Sequence, residues 1–168
     1  MIRKLHHSAY RCRDSEETRR FYEGFLGMPL AGALEIHETM SGRKTRVLHT
    51  FFRLGDGSFL AFFEAPDMPF EFKAQHDFDL HIALEVGAAE LAAARARALA
   101  AGIETRGVSD HGFIHSIYLR DPNGYVVELC ARTPADAVLM DPAQNDARGI
   151  LARWQQAKSS GAQAGGAS

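Results

Sequence analysis

The chain has 168 residues, 46% of them apolar, a formal net charge of −2 and a sequence pI near 6.4. It is long enough for one domain or two small packed modules, and with its Arg and Lys scattered it lacks the basic stripe of a nucleic-acid-binding protein. Its two cysteines, Cys12 and Cys130, exclude a disulfide framework and suit a reducing cytoplasm, and no stretch approaches the ~20 apolar residues of a membrane span.

Met1 to Lys4 carries charge but no apolar run follows, so no secretory signal is expected. Residues 4–12 read as a first strand, followed by Asp14 as a helix N-cap with Glu17 as its capping-box partner. Phe21, Tyr22, Phe25 and Leu26 recur at helical spacing, and Gly27 sits where a helix terminates. Strand-like runs follow at about 29–37, 45–54 and 58–65, the last two joined by the hairpin turn "GDG" at 55–57.

The same order then recurs. "DLHIALEV" (79–86) reads as a strand and "GAAELAAARARALAAG" (87–102) as an Ala-rich helix. Strands are expected near 103–107, 113–120 and 125–131, with "DPNG" (121–124) as the turn before the last. The expected architecture is α+β: two βαβββ modules, about 1–66 and 78–132. "PAQNDARGILARWQQAK" (142–158), within a C-terminal extension over 133–158, can form a helix with Ile150, Leu151 and Trp154 on one apolar stripe. That stripe would pack on its own domain or clamp a second subunit. The polar, Gly-rich tail at 159–168 has the composition of a disordered segment.

The two halves align with each other. "HSAYRC" (7–12) lies over "HIALEV" (81–86), so His7 matches His81. "DGSFLAFFE" (56–64) lies over "NGYVVELCA" (123–131), so Gly57 matches Gly124, and Ala61 matches Glu128. Two imidazoles and one carboxylate at such positions suit a divalent transition metal and leave coordination positions open. The competing reading is structural: a strand histidine is often a satisfied core residue, and a glutamate in "VVEL" often faces water. Adjacent strand residues alternate faces, so His6 is expected to point away from His7.

These stretches, "HHSAYRCRDSEETRRFYEGFLGMPL" (6–30), "HIALEV" (81–86) and "YLRDPNGYVVEL" (118–129), resemble the vicinal oxygen chelate superfamily. That superfamily includes glyoxalase I, bleomycin resistance proteins and extradiol dioxygenases. The resemblance covers residues 1 to about 132 and implies paired modules forming a curved mixed sheet, a half-barrel around a divalent metal. It places the metal ligands on His7, His81 and Glu128. The further carboxylate ligand of glyoxalase I falls on Ala61, and Glu64, an odd offset along the strand, belongs to the opposite face. A His, His, Glu set is closer to the dioxygenase members and implies Fe(II), with Mn(II), Zn(II) or Ni(II) as alternatives. Tyr118, ten residues before Glu128, falls where such enzymes carry an active-site tyrosine.

His111, between a turn-prone aspartate and Gly112, is the loop histidine suited to acid–base work near neutral pH. His115, His37 and His76 read as surface or packing residues, and His49 as a lesser pocket candidate. Phe51, Phe52, Phe59, Phe62, Phe63, Phe70 and Phe72 crowd one region, most of them as core and one or two as pocket lining. The function implied is extradiol cleavage of a catechol-like substrate in a cytoplasmic homodimer, with no nucleic acid or membrane as partner. Two alternatives stand beside it. One is a glyoxalase-like isomerase or lyase, an epimerase or a fosfomycin-type thiol transferase on the same metal. The other is a non-catalytic antibiotic-binding protein.

Overall fold

The computed structural model describes residues 1–74 and 76–164. The first module comprises β1 (His7–Arg11), α1 (Ser15–Arg19) continuing as a π-helical turn (Arg20–Phe25), β2 (Leu30–Glu38), β3 (Lys44–Arg53) and β4 (Phe59–Glu64). The second comprises β5 (Ile82–Glu85), α2 (Ala88–Ala100), β6 (Thr105–Asp110), β7 (Ile114–Arg120) and β8 (Val126–Arg132). Helices α3 (Asp136–Leu139) and α4 (Ala147–Ala164) follow.

Each module builds a four-stranded mixed sheet in the same order, β1-β4-β3-β2 and β5-β8-β7-β6, with only the first pair parallel in each. The α+β architecture of paired βαβββ modules is the expected one. Its eight strands divide between two open sheets, with no ladder joining them among the described residues. Each first strand pairs with the last strand of its own module, which satisfies the ladder locally. The register bears out the internal alignment: Ala9, two residues after His7, pairs with Ala61, and Ala83, two residues after His81, pairs with Glu128.

Alternation along the strands decides the core. Leu60, Phe62 and Phe52 from one sheet, and Ile117, Leu119, Val127 and Leu129 from the other, turn toward the helices and join one buried cluster. Leu91, Ala94 and Ala98 line the buried stripe of α2, which packs on β7 and β8. Asp14 caps α1 as expected, accepting from the Glu17 backbone N–H at 2.7 Å. The Glu17 carboxylate pairs with Arg13 rather than closing a capping box. The expected α-helix over the aromatic run becomes a π turn, with the Leu26 N–H bonded to the Phe21 carbonyl. The wider turn lets the adjacent Phe21 and Tyr22 both bury, their rings 5.1 Å apart.

The "DPNG" turn joins the modules. The Tyr22 hydroxyl donates to the buried Asp121 carboxylate at 3.1 Å, Asn123 Nδ2 donates to Thr18 Oγ1, and the Arg13 N–H donates to Asn123 Oδ1 at 2.8 Å. Burial raises the pKa of the Asp121 carboxyl. Gly124 has a φ of +93°, and a Cβ there would stand 2.4 Å from the Lys73 carbonyl oxygen. Gly124→Ala combines left-handed strain with a backbone clash, so a loss of ~3 kcal/mol or more is expected. Thermal unfolding followed by circular dichroism should show a fall on the order of 10 °C.

Helix α4 starts at Ala147, after a turn in which Asn145 and Asp146 accept from the N–H groups of Ala147 and Gly149. It extends to Ala164, further into the tail than composition suggested, because adding residues to an existing helix is cheap. The rest of that tail, 165–168, lies outside the described residues. Ile150, Leu151 and Trp154 are all more than half exposed, so the stripe does not pack on its own domain. No helix among the described residues is long and apolar enough to cross a membrane.

Candidate metal centre

The chemistry of the second module lies on the sheet face turned away from the helices. Reading across the ladders, Arg106 on β6 pairs with Tyr118 on β7, Tyr118 with Glu128 on β8, and Glu128 with Ala83 on β5. Residues in register share a face, so Arg106, Tyr118 and Glu128 form one row. The corresponding row of the first module is Gly32, Phe51, Ala61 and Ala9. One fold repeated twice therefore carries a polar row in one copy and an apolar row in the other.

His81 stands one residue before β5 and approaches Glu128, with Nε2 to Oε2 at 3.1 Å. Glu128 is only 4% exposed. His81 Nδ1 lies 2.7 Å from the Asp77 carbonyl oxygen. A carbonyl oxygen only accepts, so Nδ1 carries the proton and Nε2 is turned to the carboxylate. A neutral imidazole would then set a lone pair against a buried carboxylate. That arrangement needs a positive charge between them, either a proton on Nε2 or a metal cation. An Nδ1–H held by a backbone carbonyl is also how metal-binding histidines are oriented, so the donor pair fits a divalent ion.

His111 occupies the β6–β7 turn, as its sequence context indicated, and its Nε2 lies 2.9 Å from the Tyr118 hydroxyl. Burial first, then the charge of Glu128, raises the Tyr118 pKa above its ordinary value. Thus His81, Glu128, Tyr118 and His111 are neighbours.

His7 is not with them. It lies on the first sheet against Phe51 and His49, with ring centroids 5.6 and 6.1 Å away. No group of three or more His, Cys, Asp or Glu side chains that could hold a metal ion forms among the described residues. His6 also departs from expectation: its Nδ1 lies 2.8 Å from His7 Nδ1. Strand β1 begins only at His7, so strict alternation does not govern the preceding residue.

The remaining histidines separate by burial. His49 is buried and stacks on Phe63 at 3.7 Å, whereas His37 and His115 form exposed pairs with Glu35 and Asp110. His76 accepts from the Phe78 N–H within its own turn. Of the phenylalanines, Phe52 and Phe62 are core, while Phe59 pairs with His7, Phe63 with His49 and Phe51 with Ala61, all on the face away from the helices. Glu64 is on the opposite face, accepting from the Ser15 N–H.

The family model of the Glyoxalase/Bleomycin resistance protein/Dioxygenase superfamily matches residues 4–129. The chain belongs to this superfamily. No curated protein matches it. Among solved structures it is similar to a glyoxylase/bleomycin resistance protein/dioxygenase domain from Frankia sp. EAN1pec: 17% identity, 79% of this chain and 100% of that one, TM-score 0.63. It is also similar to a mutant form of the fosfomycin resistance protein FosX from Listeria monocytogenes, complexed with Mn(II) and 1S,2S-dihydroxypropylphosphonic acid: 20% identity, 82% and 98% coverage, TM-score 0.58. A third is TnmS3, an antibiotic-binding protein from Streptomyces sp. CB03234: 20% identity, 79% and 98% coverage, TM-score 0.57. At these identities the likeness carries the fold of this superfamily member, and its chemistry rests on its own residues.

Asp77 and Arg106 were missed by sequence reasoning. Arg106 Nη2 lies 2.5 Å from Asp77 Oδ2, and its guanidinium stands 5.2 Å over the Tyr118 ring. Arg106 stands at the same offset from Gly32 as His81 does from His7, so the repeat itself carried the signal for it; Asp77 lies before the second module's first strand, where the repeat offers no counterpart to compare.

Proposed function

We propose that this protein is a metal-dependent enzyme that cleaves a catechol-like aromatic diol with dioxygen, using Fe(II) held by His81 and Glu128 of one chain and His7 of a second. The observation that carries the reading is the His81–Glu128 contact, in which Nδ1 is committed to Asp77 and the buried carboxylate needs a cation. His7 has its own sheet face and does not converge with that pair inside one chain, so a second copy supplies it. A divalent ion held there would polarise vicinal oxygens and, as iron, admit dioxygen.

The protein's own residues supply the rest. The Tyr118 phenol is a protonated donor at neutral pH, placed to hydrogen-bond a substrate oxygen beside Glu128. His111 Nε2, at 2.9 Å, can relay that proton to solvent from its exposed turn. Phe51, Phe59, Phe63 and His49 offer an aromatic wall on the face that carries His7.

Oxygen uptake by anaerobically iron-loaded protein across a catechol panel is the expected result. A metal-bound protein that consumes no oxygen on any of them would overturn the dioxygenase reading. A redox-neutral reaction on the same metal is the second reading, favoured by the Mn(II) in the Listeria protein of like fold, and turnover under strict anaerobiosis would select it. Protein purified without a tag and found free of metal would leave the third, an antibiotic-binding role like that named for TnmS3.

A further inference from the structure

The segment before β5 presents His81, and its Leu80 packs partly buried against the core. Its internal hydrogen bonds, from the N–H groups of Asp79 and Leu80 to the His76 carbonyl, close the turn on itself. The side chain of Asp77 makes a polar connection to the sheet row that holds Tyr118 and Glu128. It accepts from Arg106, which sits opposite Tyr118 in the β6–β7 ladder and lies over its ring. The backbone carbonyl of the same Asp77 receives the His81 Nδ1 proton. One residue thus faces two ways, its carboxylate held by the row of site residues and its carbonyl holding the candidate ligand.

We propose that the Asp77–Arg106 ion pair is the device that positions His81, fixing the segment whose carbonyl selects the Nδ1–H tautomer and so presenting Nε2 to Glu128. Arg106 and Asp77 are positioning residues, not ligands. Arg106 serves because a planar guanidinium can bond the carboxylate with one edge while its face rests on the phenol ring; lysine offers only a point charge. The hydrogen bond from Arg106 holds the Asp77 carboxyl below the usual carboxylate range, so the pair stays ionised well below neutral pH. The first module has no such device: its position in the row is Gly32.

The proposal rests on the metal reading above for its purpose but not for its test. Nitrogen-15 spectra of metal-free protein report the His81 tautomer directly, in wild type, Arg106→Gln, Arg106→Lys and Asp77→Asn. Mn(II) affinity is titrated in parallel. Wild type is expected to show His81 Nδ1 protonated in a hydrogen bond, with or without a second proton on Nε2, and Arg106→Gln and Asp77→Asn to lose that held Nδ1–H. Both should bind Mn(II) ~10–100-fold more weakly, with Arg106→Lys between them and wild type. Their melting temperatures should stay near wild type, because a partly exposed ion pair contributes little to stability. Retention of the held Nδ1–H in folded Arg106→Gln overturns the lock, whatever the metal does. A wild type that binds no divalent cation overturns the metal reading instead, and the metal-free spectra still decide the lock.

Discussion

Glu128→Gln protein is expected to bind divalent cations at least ~100-fold more weakly than wild type while keeping its fold. Glutamine preserves the volume of a side chain that is almost fully buried but carries no charge. The expected loss exceeds the ~10–100-fold typical of disturbing a residue that merely orients a ligand, because here a ligand itself is removed. Calorimetric titration measures the affinity, and unchanged stoichiometric binding would remove Glu128 from the ligand set.

The second large effect is one of complementation. His7 shares no metal-competent cluster with the other candidates within one chain, so His7→Ala and Glu128→Gln should each be metal-poor alone. A hybrid dimer of the two regains one intact centre, with His7 from the Glu128→Gln chain and His81 and Glu128 from the His7→Ala chain. Co-expression with two different tags and elemental analysis of the doubly tagged species is expected to find about one metal per dimer. Hybrids as metal-poor as their parents would mean that the ligands are not shared between chains. Sedimentation measurements on wild type check the dimer itself.

Much of this site was legible beforehand because β-structure has a period of two and the module occurs twice. Aligning "HSAYRC" with "HIALEV" and "DGSFLAFFE" with "NGYVVELCA" was enough to predict that Ala61 and Glu128 occupy the same place, and the ladders agree. Tyr118, singled out by the family resemblance, lies opposite Glu128, and His111, singled out by its turn-prone neighbours, lies in the turn before β7. The counting failed where the backbone is irregular. It sent His6 away from His7, although the strand has not yet begun at residue 6. It expected an ordinary helix through the aromatic run that forms a π turn.

The sequence by itself determined the two modules, their order of elements and the equivalence of Ala61 with Glu128, because each depends on local periodicity and on a turn chemistry the residues spell out. Only the tertiary structure decided that the eight strands form two sheets, that His7 stands apart from His81 and Glu128, and that Asp77 and Arg106 join across 29 residues to hold His81. These are facts about distant segments meeting. No period in the chain encodes them; packing and hydrogen-bond satisfaction among folded elements do.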